Sequence, residues 1–211
     1  MIKMALFSRS ADRVLDEMTV NLRKVPLDPA KTVVVNMNTV NGYFKNGYFA
    51  STSTSPKIPR LIQMNEYFLH SRRLFIYDTH SFQSSEFKTF PEHCATRDEQ
   101  SVIEELDRFL LGATVIEKNG TNPFFCPEYL KWIAENKDVI NYVIGGSMTD
   151  LCVMQYALSL KAYANQNNKK LNVVVLENAT QSFNTEAHDG NVMHRFALYN
   201  MMLNGVIIAE I

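Results

Sequence analysis

The sequence predicts an α/β protein: a three-layer α/β/α sandwich built on a mostly parallel, six-stranded, Rossmann-like sheet. Two observations lead there. Six short apolar runs recur along the chain, and amphipathic stretches of helical period separate them. Strands alternating with helices favour a parallel sheet covered on both faces. Because crossovers between parallel strands are nearly always right-handed, a doubly wound sheet is the simplest topology.

The elements follow in order. Residues 1–30 read as an N-terminal helical extension, because Val14, Leu15, Met18 and Leu22 lie at helical spacing before "PLDPAK" breaks the pattern with two prolines. This segment is expected to pack on the main body or on a partner subunit, and a homo-oligomer is anticipated. Residues 31–211 form the main body. Its strands are expected at 32–38, 73–78, 113–118, 141–146, 171–177 and 205–210. Val33, Val34 and Val35 in succession suit a strand buried on both faces. Between the strands, "IPRLIQMNEYFLHS" fits one helix. "DEQSVIEELDRFLL" places Val102, Ile103, Leu106, Phe109 and Leu110 on one face of another. "CPEYLKWIAENK" opens on Pro127, which suits a first helical turn. "TDLCVMQYALSLKAYANQ" and "TEAHDGNVMHRFALYNMML" supply two more helices.

Composition narrows the function. The chain has 211 residues, 46% of them hydrophobic and 20% charged, with a net charge of −1. With a pI near 6.5 there is no basic footprint for nucleic acid. No apolar run approaches the ~20 residues that cross a bilayer, so no membrane is expected. Cys94, Cys126 and Cys152 are odd in number and widely spaced. They do not form a disulfide framework, which points to a cytoplasmic location. Neither G-x-G-x-x-G nor G-x-x-x-x-G-K-[ST] follows any strand, so chemistry must come from side chains at strand ends.

Three strand ends carry such side chains. "VIGGSMTDLCV" ends a strand in Gly145 and Gly146 and brings Cys152 to the start of a helix, with Thr149 or Asp150 as a natural N-cap. A thiol there faces backbone N–H groups and the positive end of the helix dipole, which favour thiolate and an oxyanion. By residue type alone, a small buried hydrophobe is the commoner role for a cysteine. Lys118 ends its strand, and an ammonium placed beside a thiol favours thiolate. Cys152 is therefore expected to be the most reactive of the three thiols. Asp78 and His80, two apart on an extended chain, point the same way and with His93 offer a carboxylate and two imidazoles for a divalent transition metal. A lone D-x-H also occurs in loops that bind nothing.

Taken together these segments resemble the isochorismatase-like cysteine hydrolases, and among them the nicotinamidase-related branch, from about residue 31 to the C-terminus. "VNGYFKNG" is similar to the family's D-x-x-x-[DN]-F stretch, and "DTH" followed by "FPEHC" to its D-W-H and W-P-x-H-C. "VIEKNGTNPFF" resembles the strand that delivers the family lysine, and "GGSMTDLCV" the G-x-x-T-[DE]-x-C-V nucleophile turn. The resemblance implies an isochorismatase-like hydrolase fold and a small, ring-bearing amide as substrate, cleaved to acid and ammonia. It makes Cys152 the nucleophile, Lys118 its supporting cation, and Asp78, His80 and His93 the ligands of one Zn, Fe or Mn ion. It implies a cis peptide at Ser147–Met148, an oxyanion site at the Met148 and Cys152 N–H groups, and Phe90 and Tyr43 as walls for a flat ring. One position departs: the alignment puts Asn38 where the catalytic aspartate belongs, and the alternative register puts Asn36 there. A carboxamide keeps the acid's shape but accepts no proton, so amide turnover is expected to be feeble. The alternative is a family member that binds a ligand or a partner.

Overall fold

The structure, a computed structural model, describes residues 2–50 and 54–211, with backbone alone for residues 2–8. In chain order the principal elements are α1 (Ile2–Met18), β1 (Val20–Asn21), β2 (Thr32–Met37), α2 (Asn41–Phe44), α3 (Ile58–Tyr67), β3 (Arg72–Asp78) and α4 (Arg97–Gln100). They continue with β4 (Thr114–Lys118), α5 (Pro127–Glu135), β5 (Asn141–Gly146), α6 (Met154–Gln166), β6 (Asn172–Thr180), α7 (Gly190–Leu203) and β7 (Ile207–Glu210). Every pairing between these strands is parallel, in the order β1-β7-β6-β5-β2-β3-β4. The sheet thus has seven strands, not six. The extra one is β1, two residues of the N-terminal segment that pair with Ala209 and Glu210.

The apolar runs become strands because both faces of the sheet are covered. Val33, Val35, Met37, Leu74 and Ile76 turn to a core shared with Leu15 of α1, Tyr129 of α5, Leu160 of α6 and Met201 of α7. Val34, Phe75, Val143 and Val174 turn to the opposite core, with Leu61 and Met64 of α3. Arg195 of α7 fixes the N-terminal helix by ion pairs to Asp12 and Asp16, and pairs also with Glu177 of β6.

Two helices differ from expectation. The stretch 98–111 is not one helix: α4 ends at Gln100, an extended piece follows, and a 3-10 turn runs over Glu104–Phe109. The extended piece is held by Ile103 N–H to Thr39 O and Asn41 N–H to Ser101 O. Ile103, Leu106 and Phe109 are buried all the same. The last helix starts only at Gly190, where the Asp189 carboxylate accepts the Asn191 and Val192 N–H groups. Among the described residues no helix is long and apolar enough to cross a membrane.

From β2 the chain winds outward through β3 and β4, then restarts on the other side of β2 with β5. The reversal between β2 and β5 is the topological switch point, where open α/β sheets place their ligands, beyond the carboxyl ends of the strands. The closeness of the two strands there depends on glycine. Gly146 has φ +118°, and a Cβ on it would lie 1.9 Å from Met37 O.

Candidate active site

The carboxyl ends of four adjacent strands meet at one buried cluster. β2 delivers Asn38, β3 Asp78, β4 Lys118, and the turn after β5 Cys152. All four are nearly inaccessible, none more than 3% exposed. Asn38 Nδ2 lies 3.3 Å and Lys118 Nζ 3.5 Å from Cys152 Sγ. Asn38 Nδ2 also donates to Asp78 Oδ2 at 2.9 Å, and Asn38 Oδ1 accepts the Asp78 N–H at 3.2 Å. Lys118 Nζ donates to Asp78 Oδ1, and the Tyr43 hydroxyl donates to Asp78 Oδ2. Of the two asparagines that compete for the family position, Asn38 is the one at the sulfur. Asn36 is turned to Asn65, with which it exchanges carboxamide hydrogen bonds of 3.1 and 2.8 Å.

These contacts set the electrostatics. Burial opposes the Asp78 charge, but the Lys118 ammonium and the Tyr43 hydroxyl outweigh it and hold the carboxyl below its ordinary range. Burial likewise opposes the Lys118 charge, and Asp78 reverses that and holds the lysine above its ordinary value. Cys152 is under opposing influences. Burial pushes its thiol up to about 12, against the downward pull of Lys118. The accessible thiol is Cys126, part-exposed, whereas Cys94 and Cys152 are buried.

The turn Thr149–Val153, which carries Cys152, is a π-helical turn whose N-cap is Met148, with no side-chain cap bond. Neither Thr149 nor Asp150 caps it, because both are engaged elsewhere. Thr149 Oγ1 pairs with His194 Nδ1 at 2.8 Å. Asp150 accepts from the Ser182 hydroxyl and lies 2.8 Å from His188 Nε2. The Ser147–Met148 peptide is cis.

Beside the thiol, ligand atoms of Asp78, His80 and His93 lie within 4.8 Å of one another, all three residues buried. The donor chemistry fits a metal ion. His80 Nδ1 lies 3.0 Å from Asn119 Oδ1 and His93 Nδ1 2.7 Å from Pro91 O. Both imidazoles therefore carry the proton on Nδ1 and present an Nε2 lone pair, the arrangement outer partners impose on metal-binding histidines. Burial lowers the His93 pKa, which also favours neutral imidazole. His80 Nε2 and Glu86 Oε2 are buried without a hydrogen-bond partner and lie 3.3 Å apart. Buried polar atoms of this kind are seldom left orphaned.

Glu86 escaped the sequence reading, as did Phe49 and Phe183. The aromatic residues around His93 are Phe49, Phe87, Phe90 and Tyr43, with ring centroids 4.7, 5.6, 6.4 and 6.1 Å away. Tyr43 is buried and stacked on Phe49, and Phe90 is part-exposed against the same ring. Phe183 meets Phe49 at 4.7 Å and stacks on His188 at 4.0 Å. Glu86 sits six residues past His80, a spacing that carries no motif.

Solved structures of the same fold share this topology. The chain is similar to the pyrazinamidase/nicotinamidase of Streptococcus mutans at TM-score 0.71 and 17% identity, over 84% of this chain and 99% of that one. The N-carbamoylsarcosine amidase of Thermoplasma acidophilum gives 0.68 and 20%, over 85% and 96%. The pyrazinamidase of Pyrococcus horikoshii, in complex with zinc, gives 0.68 and 18%, over 86% and 99%. No curated protein sequence matches the chain. A family model, the Isochorismatase domain, matches residues 32–206. The chain belongs to the isochorismatase family.

Proposed function

We propose that the protein is a cysteine-dependent hydrolase of carbon–nitrogen bonds that acts on a small, ring-bearing amide. The observation that carries this reading is the convergence of Asn38, Lys118 and Cys152 at the switch point, with two donors within 3.5 Å of the sulfur. Structural likeness to a nicotinamidase and to an N-carbamoylsarcosine amidase supports amide chemistry. In this reading Cys152 Sγ attacks the carbonyl carbon, and the Met148 and Cys152 N–H groups receive the oxyanion. Lys118, held by Asp78, stabilises negative charge on sulfur. Tyr43, Phe49 and Phe90 enclose the ring. His80 and His93, with Asp78 and the Glu86 carboxylate beside them, would hold one divalent ion, which supplies a coordination position for a ring nitrogen or a water molecule. That the P. horikoshii relative was solved in complex with zinc supports a bound divalent metal. We further infer that residues 31–211 are the catalytic body, 1–30 an extension that docks on it, and the working form a cytoplasmic homo-oligomer.

The test is ammonia release from a panel of small aromatic amides, nicotinamide included, with added divalent metal. Asn38→Asp should turn over at least one of them about 10²–10⁴-fold faster than the parent, the usual worth of a positioned acid–base group. Cys152→Ala should be inactive in either background. Activity that survives Cys152→Ala would refute the assignment. A second reading, a family member that binds such a ligand without cleaving it, is favoured by one observation: position 38 carries no carboxylate.

A further inference from the structure

We infer that the site, besides the feeble amide cleavage of that reading, turns over acyl donors whose leaving group departs without a proton, namely aryl esters and thioesters, faster than amides. The inference rests on the reading of Cys152 as nucleophile and deepens it. The hydrogen-bond pattern around the sulfur carries it. Asn38 Oδ1 is occupied by the Asp78 N–H, which fixes the carboxamide so that both Nδ2 protons point outward, one to Asp78 Oδ2 and one to Cys152 Sγ. The second group at the sulfur, Lys118 Nζ, is also a donor. Both groups hydrogen-bonded to Sγ among the described residues therefore donate to it, and neither takes its proton. Asp78, the carboxylate of this cluster, has both oxygens engaged, Oδ1 by Lys118 and Oδ2 by Asn38 and Tyr43.

The consequence differs between leaving groups. An amide cleaved by a thiol needs a proton on nitrogen before the C–N bond breaks, because an amide anion is a prohibitive leaving group. A side chain that takes the thiol proton and returns it to nitrogen meets that need. Here neither group hydrogen-bonded to the sulfur takes the thiol proton and returns it to nitrogen. An aryl ester or a thioester has no such requirement. The sulfur lone pair forms the C–S bond, the C–O or C–S bond to the leaving group breaks, and its electron pair departs as a stable aryl oxide or thiolate. Water then adds to the acyl-enzyme, forming a C–O bond. Cys152 sulfur leaves with its electron pair, and two protons pass to solvent as the carboxylate is released. The two donors aimed at Sγ stabilise the thiolate at the start and end of this cycle.

The experiment uses one acyl group with four leaving groups: 4-nitrophenyl, phenyl and methyl benzoate, and benzamide. Turnover and the acyl adduct on Cys152, read by intact-protein and peptide mass, are followed for the parent, Asn38→Asp and Cys152→Ala. The expected gain from Asn38→Asp is about 10²–10⁴-fold on benzamide but below about tenfold on the phenyl esters. Acyl-Cys152 should form from the aryl esters in the parent. Equal gains on all four substrates would overturn the inference, because Asn38 would then impair sulfur attack rather than departure of the leaving group. Should the variant fail to fold by circular dichroism, the parent decides alone. Benzamide turnover at about 1 s⁻¹ or faster, an ordinary enzymatic rate, would overturn the inference. Acylation of Cys152 by the aryl esters, with benzamide no faster than the Cys152→Ala blank, would support it. If no ester acylates Cys152 in any folded protein, the nucleophile assignment falls and this inference falls with it. If Cys152 is acylated and only the leaving-group dependence fails, the assignment stands.

Discussion

The Lys118–Asp78 pair should be worth far more to the fold than any surface ion pair, and its removal one partner at a time measures this. Lys118 is 3% exposed and Asp78 1%. Lys118→Met keeps most of the aliphatic stem and removes the ammonium. It leaves a buried carboxylate with two neutral donors, Tyr43 Oη and Asn38 Nδ2, and no counter-charge. Removing one partner of a buried pair costs about 3–5 kcal/mol, because the survivor keeps its desolvation penalty. With a urea dependence of about 2–3 kcal/mol per molar, the unfolding midpoint should fall by roughly 1–2 M. Asp78→Asn should cost a similar amount. The double variant removes both charges, and its loss should be smaller than the sum of the single losses by about 2–3 kcal/mol. The assay is equilibrium urea unfolding near pH 7 with a chelator present, so that no metal ion substitutes for the lost cation. A loss below about 1 kcal/mol for Lys118→Met would refute the reasoning, as would strict additivity in the double variant.

Two further outcomes follow from the geometry. Protein purified without a histidine tag should carry about one equivalent of divalent metal by elemental analysis, and His93→Ala should lose most of it, whereas full retention would exclude His93 as a ligand. The second concerns acid stability. Burial holds the His194 pKa down to about 3, with Lys57 and Arg195 adding to the effect. A group depressed in the folded state leaves the unfolded chain to bind the extra proton. Stability is therefore complete above the ordinary histidine value and falls as pH drops toward 3, by up to about 1.4 kcal/mol per pH unit. His194→Gln should flatten that slope, and an unchanged slope would place its origin elsewhere.

How much of this was legible in the sequence depends on what each residue answers to. The strand ends were legible because burial on both faces demands unbroken apolar runs, and such runs stop where the chain meets solvent or chemistry. Lys118 and Cys152 stand out for that reason. β1 was not legible, since its two residues, Val20 and Asn21, are exposed and pair only with an edge. The broken helix at 98–111 was misread because Ile103, Leu106 and Phe109 satisfy helical spacing equally well when a 3-10 turn delivers them. Hydrogen bonds to Thr39 O and from the Asn41 N–H, far away in sequence, decide between the two. Glu86, Phe49 and Phe183 come from irregular segments whose positions no periodicity encodes. The burial of the Cys152 thiol was not legible, because a helix start is visible in sequence, whereas exclusion of water is not.

One backbone angle constrains what this site can become. Asn38 has φ +51°, the left-handed region. Asparagine and aspartate visit that region several-fold more readily than other residues with a β-carbon, for which it costs about 1–2 kcal/mol. The scaffold thus acts as a filter on the residue alphabet at position 38 and passes chiefly two letters that differ by one atom group. Exchanging a carboxamide for a carboxylate there needs no movement of main chain. Drift between a proton-carrying and a proton-inert site is therefore a single mutational step, open in both directions.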